Sequence, residues 1–231
     1  MGTCSEQSVK LDSLPGVWRA GDRRSVSEHG NFSTGFKELD ECLPGGGWPL
    51  GGLTEILSRR NGAGELRLLL PALVRLSLRK GWISWVAPPH VPYAPALAAQ
   101  GIRLSRMLVV RPRSMRDALW AAEQTLRQGA PSATLLWLEG GDEKALRRLQ
   151  LAAAESGSWG IVFRPQQYAR TSSPSMLRLA VDTEDDALRV RILKCRGGRP
   201  VEELHLSDHA RFRARCQVMG DDLASNAFTN L

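Results

Sequence analysis

Nowhere in its 231 residues does this sequence reach ~18 uninterrupted apolar residues, which excludes an ordinary membrane-spanning helix. Cysteine is scarce and scattered: Cys4, Cys42, Cys195 and Cys216 include no Cys-x-x-Cys pair. Neither a disulfide framework nor a zinc knuckle is indicated, and reduced thiols are expected. The opening MGTCSEQSVKLD has no basic patch followed by an apolar stretch, so a cytoplasmic protein is expected. Internal repeats are absent. No serine–histidine–carboxylate or cysteine–histidine arrangement is legible, and His205 and His209 with Cys216 fall short of the three or four ligands a metal site needs. We expect no metal, no cofactor and no catalysis.

Lysine is rare too, with 5 against 26 arginines, yet the chain carries a formal charge of +7. The excess is regional: residues 59–130 hold twelve basic side chains against three acidic ones. Two readings stay open, a solvated face or contact with an acidic partner, and Arg59, Arg60, Arg111 and Arg113 are the candidates for sequence-independent contact with DNA phosphates. Apolar residues at 42% and charged residues at 24% are ordinary globular values, enough for one domain with a sizeable core.

Patterning divides the chain into an arm (1–33), a domain (34–206) and a polar tail (207–231), with Trp18 anchoring the arm. Thr34–Asp40 reads as a short helix and Pro44–Pro49 as a turn-rich loop. Strand-like runs Leu53–Leu57, Trp82–Val86, Met107–Val110, Ala133–Leu138 and Trp159–Phe163 alternate with helical stretches. Leu66, Leu69, Leu70, Leu73 and Leu76 keep helical spacing around Pro71, which should kink that helix. Ser114 opens a helix over Met115–Gln128, Asp142 opens one over Glu143–Ser156, and Ala94–Gln100 is a shorter helix. Strand–helix–strand repetition implies parallel pairing. Met176–Val181 and Leu188–Leu193 alternate with period two and predict an antiparallel hairpin at the end. The fold class is therefore α/β, a mostly parallel central sheet flanked by helices.

The strand, glycine-rich loop and helix at Leu53–Leu76 stand where a nucleotide phosphate loop would stand. A working loop needs G-x-x-x-x-G-K-[ST], whose backbone N–H groups, lysine and hydroxyl hold phosphate and magnesium. Gly64 keeps the second glycine, but Arg59 replaces the first, Glu65 the lysine and Leu66 the hydroxyl residue; Gly62 adds a glycine off the pattern. A carboxylate against phosphates in a partly desolvated site costs on the order of several kcal/mol. Glu139 ends the strand where a magnesium-directed aspartate would stand. The loop reads as a scaffold turn without a ligand.

The run Ser33–Asp40 (STGFKELD), then Leu43–Pro49 (LPGGGWP), then Gly52–Leu57 (GLTEIL) resembles the entry to the phosphate loop in RecA/Rad51 recombinases. With Leu70-Pro-Ala-Leu, Pro92-Tyr-Ala-Pro-Ala, Asp117-Ala-Leu-Trp-Ala and Phe163-Arg-Pro, it is similar to the ImuA family, from about Thr34 to Pro200. That resemblance implies a RecA-like fold and a non-catalytic role in SOS-induced translesion synthesis. The implied partners are ImuB and an error-prone C-family DNA polymerase alpha subunit; regulation of RecA filaments, by an ATP-free RecA-like protomer that caps a filament end, stands as a separate alternative. The division inhibitor SulA, which binds FtsZ, resembles Leu68–Leu73, Trp82-x-x-Trp85, Trp137-Leu and Phe163-Arg-Pro, and stands as the alternative. SulA chains lack the TGFKELD opening and carry a basic residue where Gly81 stands here.

Lys194, Arg196 and Arg199 follow the hairpin; in RecA-like proteins this place faces a neighbour's nucleotide. Without ATP, what remains is contact with an acidic partner or a solvated turn. Trp48 and Tyr93, each set among prolines or glycines, are candidate exposed anchors for a protein partner. With the basic segment 194–199, the loop Pro44–Pro49 is expected to form a docking edge at the carboxyl ends of the strands.

Overall fold

A computed structural model describes residues 30–59, 64–79, 81–129, 133–184 and 187–206. The arm with Trp18, the tail with His209 and Cys216, and Arg60 and Gly62 lie outside them. The five strands that the alternation predicts form the parallel body of the sheet: β3 (Gly52–Ser58), β4 (Ile83–Val86), β5 (Met107–Val110), β6 (Ala133–Trp137) and β7 (Trp159–Pro165). Every residue of β3, β4 and β6 is buried, the near-continuous apolar signature of a strand covered on both faces. The hairpin is β8 (Leu177–Glu184) and β9 (Ala187–Cys195). Strand β8 pairs in parallel with β3, and β9 antiparallel with β8.

Two strand sets are absent from the sequence reading. Strand β10 (Val201–Leu206) extends the sheet antiparallel to β9, but its register shifts between Val201 and Leu204, which breaks the period-two pattern. A two-residue pair, β1 (Asn31–Phe32) with β2 (Trp48–Pro49), is too short to have a period. The order across the large sheet is β10-β9-β8-β3-β7-β6-β4-β5.

Helices cover both faces. Helix α2 (Glu65–Ser77) buries Leu68, Leu69, Ala72, Leu73 and Leu76 on one, against Ile56, Trp85, Ile161 and Leu179. Helices α4 (Met115–Arg127) and α5 (Glu143–Ser156) bury Ala118, Ala122, Leu126, Leu146, Leu149 and Ala153 on the other, against Leu53, Val86, Leu136 and Val162. Both caps form as the sequence predicts: Ser114 Oγ accepts from Asp117 N–H (3.2 Å), and Asp142 Oδ1 from Ala145 N–H (2.8 Å). Helix α3 (Ala94–Ala99) buries no residue.

Helix α1 starts later than the sequence suggests, at Lys37 rather than Thr34, and runs to Cys42. Gly35 sits at φ +97°, and a Cβ there would meet Pro71 Cβ at 2.5 Å. The Thr34-Gly-x-x-x-Leu-Asp run is thus a folded turn: Asp40 Oδ1 accepts from Thr34 N–H (2.7 Å), Asp40 Oδ2 from Ser33 Oγ (2.6 Å), and Leu39 is fully buried.

Candidate functional site

The segment set against the phosphate-loop pattern lies between the carboxyl end of β3 and α2. Gly64, at φ +90°, sits so close to β8 and β9 that a Cβ would meet Leu188 Cδ2 at 2.5 Å and Thr183 Oγ1 at 2.6 Å. Glu65 opens α2 and is only 4% exposed, at the helix end whose free N–H groups favour a carboxylate. Leu66 packs against the core. Arg59 is exposed, donating to Gln166 Oε1 (3.2 Å) and lying 3.6 Å from Asp182. Glu139 is exposed beyond β6, and its carbonyl accepts from Tyr168 Oη (3.3 Å). A buried acid stands where a phosphate loop needs its cation. We expect no magnesium-dependent ATP turnover, and Glu65→Lys with Leu66→Thr should not create it because Arg59 and Glu139 also depart from the pattern. A phosphate-release assay on the purified chain checks this; robust turnover by the unaltered protein refutes it.

On the strand that leads into that loop, Glu55 lies wholly buried at the middle of β3. Arg164 of β7 lies 3.4 Å from Glu55 Oε2, and so does Nε of Arg178 on β8. Ser175 Oγ donates to Glu55 Oε1 (2.7 Å), and Ser173 Oγ also donates to that oxygen. Both guanidinium groups reach further. Arg164 donates to the Gly141 carbonyl (3.1 Å) and lies over the Tyr168 ring, 4.1 Å from its centroid. Arg178 donates to the carbonyls of Thr171 (2.8 Å) and Tyr168 (2.7 Å). Lys194 Nζ donates to the Ser173 carbonyl (2.6 Å); burial and, after it, the Arg178 charge lower its pKa. The cluster locks the connection between β7 and β8 onto the sheet. Sequence reasoning passed over it, although a glutamate inside LTEIL and an arginine inside FRP are charges in otherwise apolar strands, the signal that could have found it.

The loop Pro44–Pro49 and the segment Lys194–Arg199 do meet. A Cβ at Gly198 would touch Pro44 Cγ at 2.9 Å, and Pro44, Pro49, Cys195 and Arg196 line one cleft of about 20 Å³, room for roughly one water. Two expectations need correcting. The meeting point is at the amino end of β3, since the loop leads directly into that strand and β9 runs antiparallel, so its carboxyl end returns there. Trp48 is no exposed anchor: it is fully buried, its ring 5.2 Å from that of Trp159, because the β1–β2 pair turns it inward. Arg196 and Arg199 are exposed, and burial pushes the Cys195 thiol up to about 11, away from nucleophilic use. Tyr93, 71% exposed, and Arg111 and Arg113 lie instead at the β4–β5 side, across the sheet from β9. Among the described residues no group of three His, Cys, Asp or Glu side chains could hold a metal, and no helix is long and apolar enough to cross a membrane.

Protein ImuA of Caulobacter vibrioides is 32% identical over 195 residues, covering 73% of this chain and 80% of that relative. The chain belongs to the ImuA family. It is related to SulA as well: the family described as "Cell division inhibitor SulA" matches residues 51–160. Division inhibitors SulA of Edwardsiella piscicida and Yersinia pestis are 34% identical over 103 residues and 28% identical over 129 residues. These alignments cover 44% and 56% of this chain, and 61% and 77% of those relatives. The SulA match runs from just before β3 into β7, so it takes in Glu55 and the segment between β3 and α2 but stops short of Arg164, Arg178 and β8–β10. In this ImuA-family chain, then, the partners of Glu55 lie beyond the SulA-like segment.

Proposed function

We propose that this ImuA-family chain is a RecA-like, non-catalytic cytoplasmic adaptor in SOS-induced translesion DNA synthesis, acting with ImuB and an error-prone C-family DNA polymerase alpha subunit. The alignment that spans four fifths of an ImuA relative carries the reading. The burial of Glu65 at the start of α2 supports the non-catalytic part, since the place of the phosphate-binding lysine holds an acid built into the fold. A fold that has lost its nucleotide switch keeps its surfaces, and constitutive docking is the use left to them. The test is capture of purified ImuB by the tagged chain, with and without magnesium and ATP. Capture insensitive to nucleotide is expected; no capture at micromolar concentrations overturns the reading.

The match of residues 51–160 to SulA favours a second reading, inhibition of cell division through FtsZ. Overproduction separates the two. Filamentous cells with normal nucleoids, together with FtsZ capture, would replace the adaptor reading.

A further inference from the structure

Among the described residues, nine of the ten exposed large apolar side chains fall between Leu78 and Trp120, so the unburied apolar surface gathers on the side of the molecule built from β4, α3, β5 and α4. Its centre is β5, the last strand of the sheet, which pairs only with β4. Leu108 and Val109 are 45% and 42% exposed, and they point to opposite faces, opposite Ser84 and Trp85 respectively. The Val110 carbonyl accepts from Ala87 N–H (2.9 Å), which turns the peptide groups of Leu108 and Val110 toward β4 and those of Val109 outward. No sheet neighbour among the described residues meets that outward edge. Natural sheets normally block such an edge with inward charges, prolines or a covering element. Here two apolar side chains flank it.

Charge marks its two ends. Arg103 and Arg106 precede β5, Arg111, Arg113 and Arg116 follow it, and the acid in that stretch, Asp117, is tied to Ser114 by a 2.8 Å hydrogen bond. We propose that the outer edge of β5 is a docking strand for a partner protein, taking as a ninth strand an extended segment that is apolar at its centre and acidic at both flanks. Backbone pairing with Val109 supplies affinity, Leu108 and Val109 supply an apolar contact on each face, and the arginines set register and on-rate. A second copy of this chain fits poorly, because symmetric antiparallel pairing of two β5 strands brings Arg106 of each beside Arg111 of the other. Nucleic acid fits poorly too: a phosphate backbone has no use for exposed leucine, valine and open peptide groups.

The inference rests on the adaptor reading for the existence of a protein partner, and the test keeps the two apart. A fluorescein-labelled peptide Asp-Asp-Val-Ile-Val-Leu-Glu-Asp is titrated against the full chain by anisotropy, with a lysine-flanked version and a single-stranded oligonucleotide as comparisons. Saturable binding is expected. It should weaken about tenfold or more in Val109→Pro, which removes the outward N–H, and in the double variant Arg111→Glu/Arg113→Glu. The lysine-flanked peptide should not bind, and thermal melts of the variants should match the parent. If Val109→Pro fails to fold, Val109→Glu, which keeps the backbone and sets a carboxylate against the acidic segment, replaces it. Absent binding, or equal affinity in a folded Val109 variant, overturns the proposal. So does tighter binding of the oligonucleotide that is lost only on charge reversal, or a dimer dissolved by the Val109 change. Peptide binding at β5 without ImuB capture leaves the strand site standing and overturns the adaptor reading instead.

Discussion

Glu55→Ala is expected to destabilise the domain by about 3–5 kcal/mol, the cost of stranding buried charges when one partner of a closed ion group is removed. Two guanidinium groups share that carboxylate, both nearly inaccessible to solvent, and two serine hydroxyls donate to its other oxygen. With the acid gone, Arg164 and Arg178 keep their carbonyl acceptors but lose their counter-charge, and water cannot replace it. For a domain of this size the melting temperature should fall by roughly 6–20 °C. Glu55→Gln should cost less, since an amide oxygen still accepts from Ser175. The connection between β7 and β8 should loosen first, so hydrogen exchange ought to rise at residues 168–176 before it rises in β6. A melt within a degree or two of the parent would mean that the cluster is held open to solvent.

Trp48→Ala is the second large effect, and it belongs to stability rather than docking. The Trp48 indole packs against Trp159, which in turn meets Phe32 at 5.1 Å and donates from Nε1 to Thr54 Oγ1 at 3.0 Å. Truncating a fully buried tryptophan to alanine costs about 3–5 kcal/mol, because transfer energy is lost and a cavity stays behind. The variant should melt lower and weaken every partner in proportion to the folded fraction, while Trp48→Phe recovers part of the loss. A thermal melt paired with ImuB capture decides the matter: equal stability with selective loss of capture would return Trp48 to an interface.

These two residues mark where reading the chain succeeds and where it stops. Strand runs, helix faces and both side-chain caps were legible because their causes are local: a continuous apolar run or a period of two in strands, a period of 3.6 in helices, and a side chain three residues from the N–H it satisfies. That an acid stands at the lysine position of the phosphate-loop pattern was equally legible, since it depends only on residue identity at Glu65. Helix α1 was misplaced because Gly35 is set by the approach of Pro71, and β10 was missed because a register shift hides its alternation.

The sequence by itself determined the α/β class, the alternation of strands and helices, and the presence of an acid, Glu65, where a phosphate-loop pattern has lysine. Only the tertiary structure decided that Trp48 turns inward, that Pro44–Pro49 meets Lys194–Arg199 at the amino end of the sheet, and that Glu55 finds Arg164 and Arg178. Those outcomes depend on which strands become neighbours. Strand order follows from burying the most apolar surface across the whole chain, a global sum in which residues 109 positions apart, such as Glu55 and Arg164, become adjacent with nothing in their local text to couple them.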